Sequence, residues 1–274
     1  GKIVCTVKQL RGASVRLPFP SVGATENIMM AAAMAEGVTV IRNAAREPEI
    51  IELQDFLNAM GAEISGAGKS VIIISGKKQL HGAEWTVMSD RIEAGTLILA
   101  AAVTGGEIFV KNAPSASMES FLQCIRRSGV KIDIQPDGIG VSAPPRLSAS
   151  GKIETEPYPG FPTDLQSQFL AAMTAASGVS MIEENIFENR FKVLKPLRLM
   201  GADITLSENR ACVNGVEKLH GARVKAEELR GGAALVIAGL AAEGDTVIEN
   251  VCLIDRGYDK LEMTLRDLGA DIAR

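Results

Sequence analysis

The feature that most restricts the fold of this chain is an internal repeat of about 70 residues. Four similar phrases, AMGAEIS, RSGVKID, LMGADIT and DLGADIA, each contain a glycine, and these glycines lie 68, 72 and 68 residues apart: Gly61, Gly129, Gly201 and Gly269. A second set of glycines, 70, 69 and 70 residues apart, has the same period: Gly12, Gly82, Gly151 and Gly221. Such a period predicts close to four stacked copies of one structural unit.

The pattern within each copy predicts an α/β fold. An Ala-rich helical run ends at a glycine suited to a C-terminal cap, at Gly37, Gly106, Gly178 and Gly244. A β-rich segment such as VTVIRNA follows, then a second amphipathic helix such as PEIIELQDFLNAMG, and then short strands such as SVIIIS. Each copy is therefore predicted to be β-α-β-α-β-β.

Composition excludes several classes of protein. The 274 residues are 46% hydrophobic and 23% charged with a net charge of -4, which predicts a soluble globular protein of two domains. Only 4% are aromatic and no dense Lys/Arg run occurs, so no nucleic-acid partner is expected. The longest apolar runs are too short to cross a bilayer and no signal peptide is recognised, so a cytoplasmic location without a membrane partner is expected.

The cysteines and histidines give no sign of a metal site or a disulfide framework. The four cysteines, Cys5, Cys124, Cys212 and Cys252, have no C-x-x-C spacing, and the two histidines stand alone. All four cysteines are predicted to be buried thiols.

Chemistry is expected where the copies differ, because a repeat carries its scaffold in every copy. Equivalent positions close the second strand of each copy, at Asn43, Asn112, Glu184 and Asn250, and six residues later the copies carry Glu49, Met118, Arg190 and Arg256. Fourteen residues before the capping glycines, at the start of the first helix, they carry Gly23, Ile92, Asp164 and Arg230. The acid and the arginines are thus specific to the third and fourth copies.

If the third and fourth copies pack side by side, these turns are expected to face one cleft. The set is Asp164, Arg190, Glu228, Arg230 and Arg256. Paired guanidinium groups suit a small phosphate or carboxylate anion, and a carboxylate beside them suits proton abstraction from a hydroxyl. A solvated cluster of salt bridges explains the same residues equally well.

A capping box is predicted in front of the acid. Thr163 and Gln166 have the Thr-x-x-Gln spacing, which predicts a helix with Asp164 in its first turn. Acids are common at that place because they complement the helix dipole.

Seven ordered motifs resemble one family of enzymes: SVGAT (21–25), AAREPEI (44–50), DRIEAGT (90–96), FPTDLQSQF (161–169), FENRF (187–191), ELRGGAALVIAGLAAEG (228–244) and IDRGYDKLE (254–262). Together they are similar to the UDP-N-acetylglucosamine enolpyruvyl transferases, or UDP-N-acetylglucosamine 1-carboxyvinyltransferases, of the EPSP synthase-like family. The resemblance runs from about residue 3 to the last residue.

The resemblance implies an inside-out α/β barrel of six copies, three per domain, of which four are present here. Residues 1–78 would be the remnant of the domain with the catalytic loop, one repeat plus a strand, and residues 79–274 a nearly complete three-repeat domain. The family's reactive-cysteine loop lies in the part that is not matched, so these residues alone are expected to be inactive. Open sheet edges are expected to promote their association, whereas the intact enzyme is expected to be a monomer.

The implied activity is transfer of the enolpyruvyl group of phosphoenolpyruvate to the 3'-hydroxyl of UDP-N-acetylglucosamine, without metal or organic cofactor. The catalytic residues implied by the motif matches are Asp164, at the 3'-hydroxyl, and Arg190 and Arg256, at phosphoenolpyruvate. The substrate-binding residues implied are Ser21, Val22, Gly23, Ile186, Phe187, Glu188, Glu228 and Leu229. Glu228 departs from the family pattern, in which an aspartate is expected.

Two alternatives stay open at this point. One is a transferase that acts on shikimate 3-phosphate, against which the SVGAT, FENRF and IDRGY motifs argue. The other is a truncated protein that binds the nucleotide sugar without catalysis.

Overall fold

The computed structural model of the protein describes residues 2 and 4–274. Two compact units are present: the first runs to Met88 and also includes Pro157–Pro159, and the second comprises Ser89–Glu156 and Gly160–Arg274. The boundary lies later than residue 78 because the intervening segment is bound to the first unit. The amide of His81 donates to the carbonyl of Met60 at 2.9 Å, and the Trp85 indole donates to the Glu52 carboxylate at 2.8 Å.

The first unit is one complete copy of the predicted repeat. Its elements are β1 (Ser14–Arg16), α1 (Val22–Ala32), β2 (Val38–Arg42), α2 (Pro48–Ala59), β3 (Glu63–Ser65) and β4 (Val71–Ser75). The sheet has the order β1-β2-β4-β3, in which β1 and β2 are parallel and the other pairs are antiparallel. Alternate residues of β2, Thr39 and Ile41, are buried, which is the period-two pattern of a strand with one covered face.

The second unit begins with the second and third copies. The second copy contains α3 (Arg91–Val103), β5 (Glu107–Lys111), α4 (Glu119–Arg127), β6 (Lys131–Gln135) and β7 (Gly138–Ser142), with sheet order β5-β7-β6. The third copy contains β8 (Lys152–Glu154), α5 (Gln166–Thr174), β9 (Val179–Glu183), α6 (Leu194–Leu199), β10 (Asp203–Ser207) and β11 (Arg210–Asn214). Its sheet order, β10-β11-β9-β8, is that of the first unit. The prediction of a β-α-β-α-β-β repeat is therefore confirmed in the first and third copies.

The fourth copy completes the second unit. Its elements are β12 (Leu219–His220), β13 (Arg223–Lys225), α7 (Leu229–Ala241), β14 (Ala242–Glu243), β15 (Val247–Glu249) and α8 (Leu261–Asp267). The parallel pair β13-β15 corresponds to β1-β2 of the first copy. Within the described residues no further strand pairs with β15.

Three helices form the centre of the second unit. The helices α3, α5 and α7 pack against one another, and all nine residues of α5 are buried. A helix that is covered on every side belongs in the interior of a domain, so the sheets must lie outside it. This arrangement places the starts of α5 and α7, and the turns before them, close together. The closed barrel stays a prediction.

The repeated glycines end the second helix of each copy. Gly61, Gly129, Gly201 and Gly269 have φ values of 94°, 93°, 93° and 99°. Only glycine adopts this region without a steric cost from Cβ, and so the spacing recognised in the sequence is a spacing of helix ends.

Some local predictions are wrong. Cys5 and Cys252 are exposed and Cys212 is half-buried, so only Cys124 is a buried thiol. The cap expected at Gly106 is formed by Gly105, whose φ is 66°.

Within residues 2 and 4–274 no helix has the length and apolar character needed to cross a membrane, and no three His, Cys, Asp or Glu side chains are grouped to hold a metal ion.

Candidate active site

The turn that carries Asp164 is not the predicted capping box. Thr163–Leu165 forms a single 3-10 turn in front of α5, and no side chain caps it. The Thr163 hydroxyl donates instead to the buried Glu184 carboxylate at 2.9 Å. The cap was predicted from local spacing alone, and a partner 21 residues further along the chain takes its hydroxyl.

The Asp164 carboxylate lies between two arginines. Arg190 Nη2 donates to its Oδ1 at 2.8 Å, and Arg230 Nη2 donates to its Oδ2 at 2.8 Å. The arginine side chains are only 7% and 14% exposed, whereas that of Asp164 is 40% exposed. The third and fourth copies therefore meet here, as the comparison of copies predicted.

This arrangement keeps Asp164 ionised. Burial by itself would raise the pKa of Asp164, but the charges and hydrogen bonds of Arg230 and then of Arg190 outweigh it and hold that pKa below the ordinary value. Burial likewise opposes the charge of Arg230, and the Asp164 carboxylate reverses that effect and raises the pKa of Arg230. With both arginines in place, Asp164 is a hydrogen-bond acceptor and a weak base.

Glu228 caps the helix that carries Arg230. Its carboxylate accepts the backbone amide of Arg230 at 2.8 Å and that of Gly231, and it lies 3.8 Å from Arg190 Nη1. A Cβ on Gly231 would stand 2.7 Å from Glu228 Oε1, so a larger residue there would displace the end of the Glu228 side chain. The predicted substrate contact of Glu228 stays a prediction, and its contacts here are the N-cap of α7 and the ion pair.

The loop after β9 presents an aromatic ring beside the cluster. Phe187 is 57% exposed, and the guanidinium carbon of Arg190 lies 4.5 Å from its ring centroid. Ile186 is half-buried and Glu188 is exposed. An exposed phenylalanine held by a buried arginine offers an apolar face to a ligand.

Arg256 lies on a separate turn of the same unit and is exposed. Next to it, a Cβ on Gly257 would stand 2.9 Å from Leu229 Cδ2, so this turn lies close to the first residue of α7. On the described residues no carboxylate forms an ion pair with Arg256. Its guanidinium is therefore available to an anion.

A buried tyrosine ties this turn to the turn of Asp164. Tyr258 is fully buried, and its hydroxyl is 2.8 Å from the Thr96 hydroxyl and accepts the Gln168 amide at 3.1 Å. The same Gln168 nitrogen donates to the Asp164 carbonyl at 2.8 Å. The two turns are thus held in one hydrogen-bond network.

Sequence reasoning gave no site role to two residues that the structure brings into this cluster, Glu184 and Tyr258, and it placed Arg230 in the predicted cleft without a role in the reaction. For Glu184 the available signal was that it is the one acid at a position where the other copies carry asparagine. For Tyr258 the available signal was an aromatic next to the Arg-Gly turn in a chain with only 2 tyrosines.

The other predicted residues belong to the first unit. Ser21 is the N-cap of α1, and its hydroxyl accepts the Ala24 amide at 3.3 Å. Val22 and Gly23 form the first turn, where Gly23 is exposed and no atom would meet a Cβ within 4 Å. The amides of Val22 and Gly23 have no hydrogen-bond partner among the described residues, and amides at a helix start can receive an anion.

Comparison with known proteins identifies the family. The sequence model described as EPSP synthase (3-phosphoshikimate 1-carboxyvinyltransferase) matches residues 2–265. Two relatives from Caldanaerobacter subterraneus subsp. tengcongensis, called UDP-N-acetylglucosamine 1-carboxyvinyltransferase 2 and 1, are 50% and 52% identical over 274 residues. Both matches cover 100% of this chain and 66% of the relative, so the chain spans just under two thirds of their length.

Solved structures have the same α/β fold. The enolpyruvyl transferase NikO from Streptomyces tendae superposes with a TM-score of 0.87 at 24% identity, over 98% of this chain and 66% of that one. An EPSP synthase from Acinetobacter baumannii superposes with a TM-score of 0.72 at 18% identity, over 97% of this chain and 64% of that one. At these identities the likeness concerns the fold alone.

Proposed function

The chain belongs to the EPSP synthase family of 1-carboxyvinyltransferases. From this premise we propose that it contributes the residues described above to a UDP-N-acetylglucosamine 1-carboxyvinyltransferase. The reaction transfers the enolpyruvyl group of phosphoenolpyruvate to the 3'-hydroxyl of UDP-N-acetylglucosamine and releases phosphate. Relatives with that name and 50% to 52% identity support the choice of acceptor. The reaction belongs to the first committed step of peptidoglycan synthesis, in the cytoplasm.

The observation that carries this proposal is the position of Asp164 between two arginines, of which Arg190 is buried and Arg230 is half-buried. The Asp164 carboxylate lies 2.8 Å from each of two guanidinium groups, which shows that this part of the site attracts anions. Two arginines so close together suit a small dianion. Phosphoenolpyruvate carries a phosphate and a carboxylate, and both match the fork of donors that arginine presents. Arg256 provides a further guanidinium that no carboxylate of the described residues holds.

Binding of phosphoenolpyruvate would change the basicity of Asp164. When the anion takes up hydrogen bonds from Arg190 and Arg256, the positive charge available to Asp164 is partly neutralised. Its pKa then rises from the lowered value of the unliganded site, because the interaction that favours the ionised form is weaker. Asp164 becomes a better acceptor for the proton of the 3'-hydroxyl at the stage when that proton must leave.

The bonds change in two steps. In the addition step, the 3'-oxygen forms a bond to C2 and its proton passes to Asp164, while a general acid in the part of the enzyme that this chain does not match gives a proton to C3. In the elimination step, the C2–O bond to phosphate breaks, the C3 proton returns to that group, and phosphate and the enolpyruvyl ether are released. The arginines stabilise the charge on phosphate and carboxylate through both steps.

Each unit by itself offers a feature suited to a nucleotide sugar. In the first unit, Ser21, Val22 and Gly23 offer a helix start to a diphosphate. In the second unit, Phe187, with Ile186 and Glu188 beside it, offers an exposed ring. Leu229 packs beneath the Arg256 turn. No metal or organic cofactor takes part in this scheme, and these 274 residues are proposed to be inactive alone.

The proposal is tested by turnover in a joined protein. The chain is fused to the part of the 52% identical relative that it does not match, and phosphate release is measured. We expect release with UDP-N-acetylglucosamine and not with shikimate 3-phosphate. Asp164→Asn should lower kcat by about a hundredfold or more, whereas Arg223→Ala, which alters an exposed arginine paired with Glu249, should leave it unchanged.

Two results would overturn the proposal. One is turnover with shikimate 3-phosphate in place of the sugar nucleotide. The other is a folded joined protein that binds UDP-N-acetylglucosamine but releases no phosphate, or that releases it equally well after Asp164→Asn.

A further inference from the structure

Position 184 is where the third copy departs from the other three. The equivalent residues Asn43, Asn112 and Asn250 have left-handed backbone angles, with φ of 57°, 58° and 62°, and Glu184 is not among the described residues with positive φ. Asn43 Nδ2 donates to the Leu17 carbonyl at 3.0 Å, which closes the end of a strand. Asparagine tolerates this backbone region and caps it, so it is the scaffold residue of the repeat.

Glu184 replaces that cap by a buried acceptor. Its side chain belongs to a residue only 5% exposed, and its carboxylate accepts four hydrogen bonds. Oε1 accepts the Thr155 hydroxyl and the backbone amides of Ile186 and Phe187, each at 2.9 Å, and Oε2 accepts the Thr163 hydroxyl at 2.9 Å. A buried carboxylate is costly unless it is hydrogen-bonded, and here the donors come from several segments at once.

These bonds fix the direction of the Thr163 hydroxyl. A hydroxyl has one proton to donate, and Thr163 gives it to Glu184, so its oxygen is left to accept from Arg190 Nε at 3.3 Å. With Nε held, the guanidinium plane is set, and Nη2 reaches Asp164 at 2.8 Å while the Phe187 ring lies 4.5 Å from the guanidinium carbon.

The same carboxylate shapes the loop that bears Phe187. Two successive amides, of Ile186 and Phe187, point at Oε1 of Glu184. The exposed ring and the buried arginine are thereby fixed to one group. A strand cap alone needs none of this, because an asparagine side chain closes the strand in the first and fourth copies.

We propose that Glu184 is a positioning residue of this site, which sets Arg190 through Thr163 and the Phe187 loop through its amides. This role in catalysis rests on the proposed function, whereas the positioning itself is a property of the unliganded chain. Substrate does not contact Glu184, which acts only through the residues that it holds.

The test uses the 274-residue chain and nuclear magnetic resonance, without substrate. Arg190 Nε–H should give a slowly exchanging signal, identified by its loss in Arg190→Lys. Glu184→Asn restores the residue of the other copies, but its shorter side chain no longer reaches Thr163. In Glu184→Asn we expect the Arg190 Nε–H to exchange at least about tenfold faster. We also expect the carboxyl resonance of Asp164 to titrate at a higher pKa, because Arg190 and Arg230 are the charges that face it and Arg190 is held less firmly.

A second variant and a control keep the result clear. Thr163→Val removes the bridging hydroxyl while Glu184 stays, and it should produce the same two changes; Thr163→Ser should restore both. Ser150→Ala is the matched control, because Ser150 is also 5% exposed and its hydroxyl donates to the Cys124 carbonyl at 3.0 Å. It should lose a similar hydrogen bond and alter neither signal.

The proposal is overturned if folded Glu184→Asn and Thr163→Val chains both keep the Arg190 exchange rate and the Asp164 titration of the unaltered chain. It is also overturned if Ser150→Ala changes them equally, since the effect would then be a general loss of stability. Neither readout needs turnover, so a failure of the proposed enzymatic function would leave this result intact.

Discussion

The clearest test of the site's energetics is Asp164→Asn in the 274-residue chain. The substitution keeps the shape of the side chain and one acceptor oxygen, but it removes the negative charge between Arg190 and Arg230. Those two guanidinium groups are 7% and 14% exposed, so they would be left close together with little water to solvate them.

The magnitude follows from the burial of the three side chains. Removing one partner of a fully buried ion pair costs about 3–5 kcal/mol, because the other charge is left uncompensated. Asp164 is 40% exposed, so water reaches this side of the cluster and screens the arginines. We therefore expect a loss of about 1–3 kcal/mol in the free energy of unfolding at neutral pH.

The loss should depend on pH in one direction. The folded pKa of Asp164 lies below the ordinary value of 3.8, so the ionised carboxylate stabilises the folded chain fully above the unfolded pKa. That contribution disappears as the pH falls through the folded pKa and Asp164 becomes protonated. The difference between the unaltered chain and Asp164→Asn should accordingly be constant from pH 5 to pH 7 and shrink in more acidic solution.

Urea unfolding followed by circular dichroism measures the difference, and Trp85 fluorescence reports the first unit separately because it is the single tryptophan. Asp255→Asn is the matched control. Asp255 is also 40% exposed and is paired with an arginine, but that partner, Arg274, is 46% exposed. The two substitutions thus differ mainly in the burial of the arginines.

The reasoning would be refuted if Asp255→Asn cost as much as Asp164→Asn. It would also be refuted if the effect of Asp164→Asn persisted unchanged at a pH low enough to protonate the native carboxylate.

Two further substitutions test how the turns are held. Tyr258→Phe removes a buried hydroxyl bonded to Thr96 and Gln168, and we expect a loss of about 1 kcal/mol, because these bonds are lost while the Gln168 amide keeps the Asp164 carbonyl as a partner; urea unfolding measures it, and an unchanged midpoint would contradict the network. Gly257→Ala places a Cβ 2.9 Å from Leu229 Cδ2, the end of a flexible side chain that can turn aside, so we expect a loss of about 1 kcal/mol or less in the free energy of unfolding; calorimetry showing a fall of many degrees in melting temperature would contradict this expectation.

The sequence by itself determined the repeat and its elements. Glycines such as Gly61 and Gly129 stand at helix ends because their φ values above 90° exclude a side chain, and this preference is local to a few residues. The alternation in strands and the apolar faces of helices are local in the same way. The α/β class could therefore be predicted from the sequence, and the β-α-β-α-β-β order was confirmed in two copies.

The comparison of copies also predicted which charged residues would meet. Asp164, Arg190 and Arg230 were selected because the first and second copies have no aspartate or arginine at these positions, and the structure brings both arginines within hydrogen-bond distance of Asp164. Arg190 and Arg230 lie 26 and 66 residues after Asp164 in the chain, so the pairing depends on how α5 and α7 pack.

Only the tertiary structure decided how polar groups share their partners. Thr163 has the spacing of a cap, but Glu184 takes its hydroxyl, and the exposure of Cys5 and Cys252 likewise depends on what covers them. A backbone preference depends on the atoms nearest along the chain. The partner of a hydroxyl, a thiol or a carboxylate depends instead on the groups that packing places beside it, and these groups lie far away in the sequence.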